Sequence, residues 1–157
     1  MPRSSFVRAP VALVVLAASL GLAVVVVACS GGSDSPAGPS CVQGLKLDCT
    51  PLYNPPDYPT LFEKTFKKTC ASGVGTCHTS DAAKGGLVFE DADTAYAHLL
   101  GTDGGKKRVI PGDPACSLLV EKLEASEPSV RMPPGSAPLP AAERCAIERW
   151  IANGAAR

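Results

Sequence analysis

The side chains in this 157-residue chain that can do chemistry at close range are its cysteines, two histidines and a single methionine beyond the initiator. Cys70 and Cys77 are separated by six residues, and His78 follows the second thiol directly. Two thiols beside an imidazole can bond to each other as a disulfide or hold a bound group. The types at Cys70, Cys77, His78 and His98 also suit zinc. That reading ranks low, because no Cys-x₂₋₄-Cys pair is present and disulfide formation competes for the sulfurs. Met132 offers a soft thioether, and Pro133 and Pro134 stiffen the loop that would present it. His98 reads as a structural side chain at a helix edge. The serines fall in tether or loop sequence, so no nucleophile–base–acid set forms. These residue types therefore carry no expectation of an enzyme.

Composition narrows the classes further. Lys and Arg balance Asp and Glu at 15 each, so no basic field argues for a nucleic-acid partner. Gly and Pro, 15 each, imply many turns, and an aromatic content of 5 % suggests that something other than stacked rings fills the core. Seven cysteines point to an oxidising compartment, and their odd number needs a reason. The N-terminus supplies one. Arg3 and Arg8 precede an apolar run from Val11 to Ala28, the pattern of a secretory signal. Its end, Val26-Val27-Ala28-Cys29, resembles a bacterial lipobox. That resemblance implies cleavage before Cys29 and lipidation of its thiol and amine with diacylglycerol and an acyl chain such as palmitate. Several buried chains would anchor the protein stably to a membrane. An uncleaved spanning helix is the weaker alternative.

The organisation expected is therefore a signal peptide at 1–28, a lipidated Cys29 with a small-residue tether over 29–40, and a folded domain over 41–157. Loss of residues 1–28 takes Arg3 and Arg8 with it and leaves a formal net charge of −2. Ser30 after the lipidated position favours the outer membrane of a two-membrane bacterium. The domain would face the periplasm or the cell surface.

Four helices can be read along the folded part. Thr60–Thr69 places Phe62 and Phe66 on one face, with Thr60 as the cap. Asp91 or Asp93 caps a second helix through Leu100. Asp113-Pro114 opens a third, with Leu119, Val120 and Leu123 buried. The last begins near Pro140, carries Ile147, Trp150 and Ile151, and stops at Gly154. Trp150 should meet Phe62 and Phe66 across the first and last helices. Lys106-Lys107-Arg108 reads as a solvated turn, and no strand alternation appears. The class is mainly α, short helices joined by long loops that need an internal anchor. Cys41, Cys49, Cys116 and Cys145 are disulfide candidates. Cys41 and Cys49 could close a short loop. Cys116 and Cys145, 29 positions apart, could close one that stabilises by roughly 3–4 kcal/mol. Six cysteines allow 15 pairings, so the connectivity stays open.

Cys-His after a short helix, Met132 in a proline loop and a closing helix with Trp150 resemble a c-type cytochrome. The stretch VIPGDPACSLLVEKL…RMPPGSAPL…AIERWIANGA is similar to cytochrome c-like modules of bacterial envelope proteins, over about Leu61 to Ala155. The resemblance implies a cytochrome c-like fold holding haem c, with His78 and Met132 as axial iron ligands and Cys77, with Cys70, as thioether attachments. The motif departs from the family pattern Cys-x-x-Cys-His, so Cys70 and Cys77 either bond to a haem or to each other. The function implied is haem binding and single-electron transfer beside an envelope redox partner. The alternative is a haem-free lipoprotein, structural or binding, held on the same scaffold by disulfides.

Overall fold

The computed structural model describes residues 41–72, 77–135 and 137–157. The signal at 1–28, the lipidated Cys29 and the tether to residue 40 lie outside the described residues. Among the described residues no helix is long and apolar enough to cross a membrane. The order of elements is helix α1 (Tyr58–Leu61), running straight into a π-helix (Phe62–Cys70), then α2 (Ala92–Leu99), strands β1 (Thr102–Asp103) and β2 (Lys106–Lys107), α3 (Leu118–Glu124) and α4 (Ala141–Ala152). The domain is mainly α, as its periodicities suggest.

The first helix starts two residues before the expected cap. Asp57, not Thr60, caps it: the Asp57 carboxylate accepts from the Thr60 amide at 2.8 Å, and Pro59 sits in the first turn, where no backbone donor is missed. The wider π turn then carries Phe62, Thr65 and Phe66 into the core and delivers Cys70 at its end. On α2, the Asp91 carboxylate accepts from the Thr94 amide at 2.9 Å, and Ala95 and Leu99 face inward.

The third helix begins later than the sequence suggests. Asp113 caps only a preceding turn, where its carboxylate accepts from the Cys116 amide at 3.1 Å. Regular helix follows from Leu118, with Val120 and Leu123 buried. The Lys106-Lys107 stretch is not a bare turn. It pairs with Thr102–Asp103 in a two-residue antiparallel ladder across Gly104-Gly105, a short strand pair that sequence alternation could not reveal.

Few rings fill the core, but they are gathered in one place. Tyr58 lies 5.7 Å from Trp150 and 4.9 Å from Tyr96 between ring centroids, Phe66 stacks on Phe89 at 5.0 Å, and Phe66 meets Trp150 edge-on at 6.4 Å. The expected contact of Trp150 with the first helix therefore forms through Tyr58 and Phe66, while Phe62 packs on Tyr58. The aromatic share is low, yet rings join the first and last helices, beside a core of Leu61, Leu99, Val120, Ile147 and Ile151.

The C-terminal turn fixes Trp150 in place. Gly154, at φ +97°, lets the chain reverse, so that its amide donates to Ile151 and the Ala155 amide donates to Trp150. The reversed tail then accepts hydrogen bonds from the Trp150 indole at Ala156 and from the Tyr96 hydroxyl at Ala155.

Two disulfides, Cys41–Cys116 and Cys49–Cys145, hold the lead-in. The cysteines are the expected four, but neither of the sequence-local pairings occurs. The reason lies in the path of residues 41–57. The Val42 amide donates to Ala115 before α3, and the Leu52 amide to Ala142 at the start of α4, so the segment runs as a strap from one helix to the other. Each cysteine meets the partner that it passes. The closed loops span 75 and 96 positions, worth roughly 4–5 kcal/mol each by chain entropy and less together because they overlap.

Two outcomes follow for stability. Replacing Cys49 and Cys145 together by Ala should lower the unfolding free energy by about 2–5 kcal/mol, read by urea titration, and α4 should lose its amide protection first. Gly154→Ala should cost about 1–2 kcal/mol, because a Cβ is strained at that φ, and should lower the melting temperature without changing the disulfides.

Candidate functional site

The site is a cleft between the π-helix, the Leu87–Phe89 segment, α3 and the Met132 loop. Its walls are apolar, including Phe66, Leu87, Phe89, Leu99, Leu123 and Ile147, and the enclosed part is a cavity of about 140 Å³. Cys70, His78 and Met132, three of the four residues singled out in the sequence as haem contacts, line this one cavity. They come from three separate segments, so the fold brings together what the sequence places 62 positions apart. Cys77, half-buried, precedes His78 but is not part of the cavity lining.

His78 is fixed by its backbone and its ring. The Phe89 amide donates to the His78 carbonyl at 2.8 Å, and the ring meets Phe89 edge-on at 5.6 Å. Its Nδ1 lies 3.3 Å from the Leu87 carbonyl oxygen. With Nδ1–H donating there, Nε2 carries the lone pair, the state in which an imidazole binds a metal. Burial is the main influence on the ring and holds its pKa below the ordinary value. The Leu87 and Lys84 carbonyls push it the other way, and the Arg108 charge adds to the lowering. At neutral pH the imidazole is therefore uncharged, the form a ligand needs.

Met132 is presented by a loop folded back on α3. Its amide donates to the Lys122 carbonyl at 2.8 Å, and the Gly135 amide donates to Pro128 at 3.2 Å. Cys70 and Cys77 are free thiols here. Burial, helped by the nearby Glu143 and Cys77, pushes the Cys70 thiol up to about 12, so at neutral pH it stays protonated and a poor nucleophile.

Sequence reasoning missed two participants. The Leu87 carbonyl that orients His78 is a backbone group and leaves no trace in residue types. Arg108, read as part of a solvated basic turn, is half-buried in the wall. Its Nη1 donates to the His98 carbonyl at 2.9 Å and its Nη2 to the Gly85 carbonyl at 2.5 Å, tying α2 to the loop beside His78. Lys84, Asp103 and Lys122 join Arg108 as the polar part of an otherwise apolar cleft. His98 takes no part in the cavity: its Nδ1 accepts from the Val88 amide at 3.2 Å, which makes it structural. Among the described residues, no three His, Cys, Asp or Glu side chains gather closely enough to hold a metal ion.

The donor set that remains suits a haem iron, which needs few protein ligands. A neutral imidazole with one free nitrogen and a thioether sulfur lie on one apolar cavity, and thiols stand beside them.

Comparison with known proteins points the same way. Neither a curated protein nor a solved structure matches the chain. Residues 75–136 match the family model described as Planctomycete cytochrome C, a span that contains Cys77, His78 and Met132 and begins after Cys70. The match supports a cytochrome c-like domain in this chain.

Proposed function

We propose that the chain is a lipid-anchored envelope protein whose cytochrome c-like domain holds one haem in the cleft and passes single electrons to a partner protein. The observation that carries this reading is the lining of one apolar cavity by His78, with Nδ1 bonded to the Leu87 carbonyl, and by Met132. When bound, a haem supplies a one-electron iron couple whose potential depends on its axial ligands and burial.

The chain's own residues have distinct tasks in this reading. His78 ligates through Nε2, and the Leu87 carbonyl keeps the ring in the required tautomer. Met132 would hold the group through Sδ, a soft donor that favours reduced iron. Cys77, adjacent to His78, forms the principal thioether. Cys70 reaches the same cavity, but its protonated thiol and its distance along the chain make it the less ready partner. Phe66, Phe89 and Leu99 exclude water from the ligand side. The cleft opens to the surface beyond its enclosed part, so a haem held there would remain accessible to a partner protein. With His78 and Met132 both holding the group, the protein would act as a carrier and not an enzyme.

The lipid anchor at Cys29 and the tether to residue 40 would keep the domain beside the bilayer, at the outer membrane and facing the periplasm or the cell surface. The haem-free alternative, a binding lipoprotein on the same scaffold, draws support from the six-residue interval between Cys70 and Cys77 and from the two bridges that stabilise the fold without a cofactor.

A reduced visible spectrum separates the two readings. The full chain, expressed in cells that mature c-type cytochromes, should show a Soret band that survives denaturation. Its absence, beside a matured control, would favour the haem-free protein. Met132→Ala should lower the reduction potential by roughly 0.1 V or more, within the ~0.8 V range that axial ligation covers, or admit an external ligand. An unchanged potential and spectrum would remove Met132 from the iron. Cys77→Ala should abolish covalent attachment, whereas Cys70→Ala should retain the single thioether of Cys77, both read by haem stain of the denatured chain.

A further inference from the structure

The loop that carries Met132 is clasped at both ends by one group of charged side chains. Glu124 ends α3 just before the loop, and Leu139 closes it just before α4. Arg144, on α4, donates through Nε to the Glu124 carboxylate and through Nη1 to the Leu139 carbonyl. One turn further on, Glu148 is only 5 % exposed, and its carboxyl is hydrogen-bonded to Glu124. Met132 itself hangs from the last turns of α3 through the Lys122 carbonyl. The other elements around Glu148 bring little compensating charge. The strap contributes the bridged Cys49 and the exposed Lys46, while Glu121 of α3 is committed to Lys106 at 3.0 Å.

Glu124, Arg144 and Glu148 line one pocket, and two neighbouring carboxyls there favour keeping a proton, because ionising both against one guanidinium sets them in repulsion. We propose that Glu124, Arg144 and Glu148 form a proton-operated latch on the Met132 loop, closed while Glu148 is protonated and slackened when it ionises. The latch rests on the role given to Met132 above and adds its regulation by pH. Burial first, and then the Glu124 charge and hydrogen bond, push the Glu148 carboxyl up to about 7, with Arg144 opposing. A carboxyl whose folded pKa is raised holds its proton more tightly folded than unfolded. The destabilisation therefore grows between the ordinary value of 4.5 and about 7 and is complete above it. The loop is held firmly in mildly acidic conditions and loosely in mildly alkaline ones.

Hydrogen exchange of the full chain tests the latch with or without haem, so its failure is separable from failure of the haem reading. After correction for intrinsic rates, amides of residues 125–135 should lose about tenfold protection between about pH 5.5 and about pH 8.5, the equivalent of one pKa unit. Glu148→Gln, which keeps a hydrogen bond to Glu124 without a titrating proton, should hold the acid-side protection at both pH values. Glu124→Gln removes the repulsion from the other side, though it weakens the Arg144 pair, and should flatten the pH response if Glu148→Gln folds poorly. Glu143→Gln, on the same helix but beside Thr65 and Tyr53, should leave the response intact. Equal protection at both pH values in the wild type, or an undiminished response in the variant tested, would overturn the latch.

Discussion

The structure depends on one contact above the others, the packing of the α1–π helix against α4 through Tyr58, Phe66 and Trp150. This layer joins the two ends of the domain, and the rest is arranged around it. Phe89 stacks on Phe66, and His78 stands edge-on to Phe89, so the orientation of the cleft's imidazole is inherited from the aromatic core. The C-terminal reversal at Gly154 and the indole hydrogen bond to Ala156 pin Trp150 from the far side. Burying these rings supplies apolar stabilisation in a chain with few of them, and it leaves a cleft whose walls are largely apolar.

The disulfides act on a different part of the problem. Residues 41–57 have too little periodic apolar character to dock by burial alone, and the two bridges tie them to the segments before α3 and within α4. The polar corner of the cleft relies on Arg108 in the same way. Its two hydrogen bonds to backbone carbonyls join α2 to the Gly85 loop, and the Met132 loop is fastened separately to α3. Segments lining the cleft that are each held independently can be brought into register without a continuous regular scaffold.

Much of this was legible in the residue types. Helices announced by caps and 3.6-residue spacing formed near their expected places, and Gly154 ended α4 where its backbone freedom is needed. Cys70, His78 and Met132 could be singled out because they match the c-type cytochrome pattern that the sequence resembles, and the fold places all three on one cavity. What was not legible depended on the path of the chain in space. The disulfide partners follow from the strap crossing between helices, not from sequence separation. The short ladder at Thr102–Asp103 and Lys106–Lys107 is below the length at which alternation can be read. Arg108 looked solvated because its partners are carbonyls, and the Glu124–Glu148 contact joins residues 24 positions apart on two helices. The family match spans Cys77, His78 and Met132 and begins after Cys70.

The central claim is that a haem is covalently carried by this chain in the cleft of His78 and Met132. Intact mass of the denatured full chain, purified from cells with cytochrome maturation, addresses it most directly. The account predicts the mass of one haem added per chain and lost in Cys77→Ala. A chain bearing its lipid but no haem, from cells in which a control cytochrome is fully matured, would contradict it.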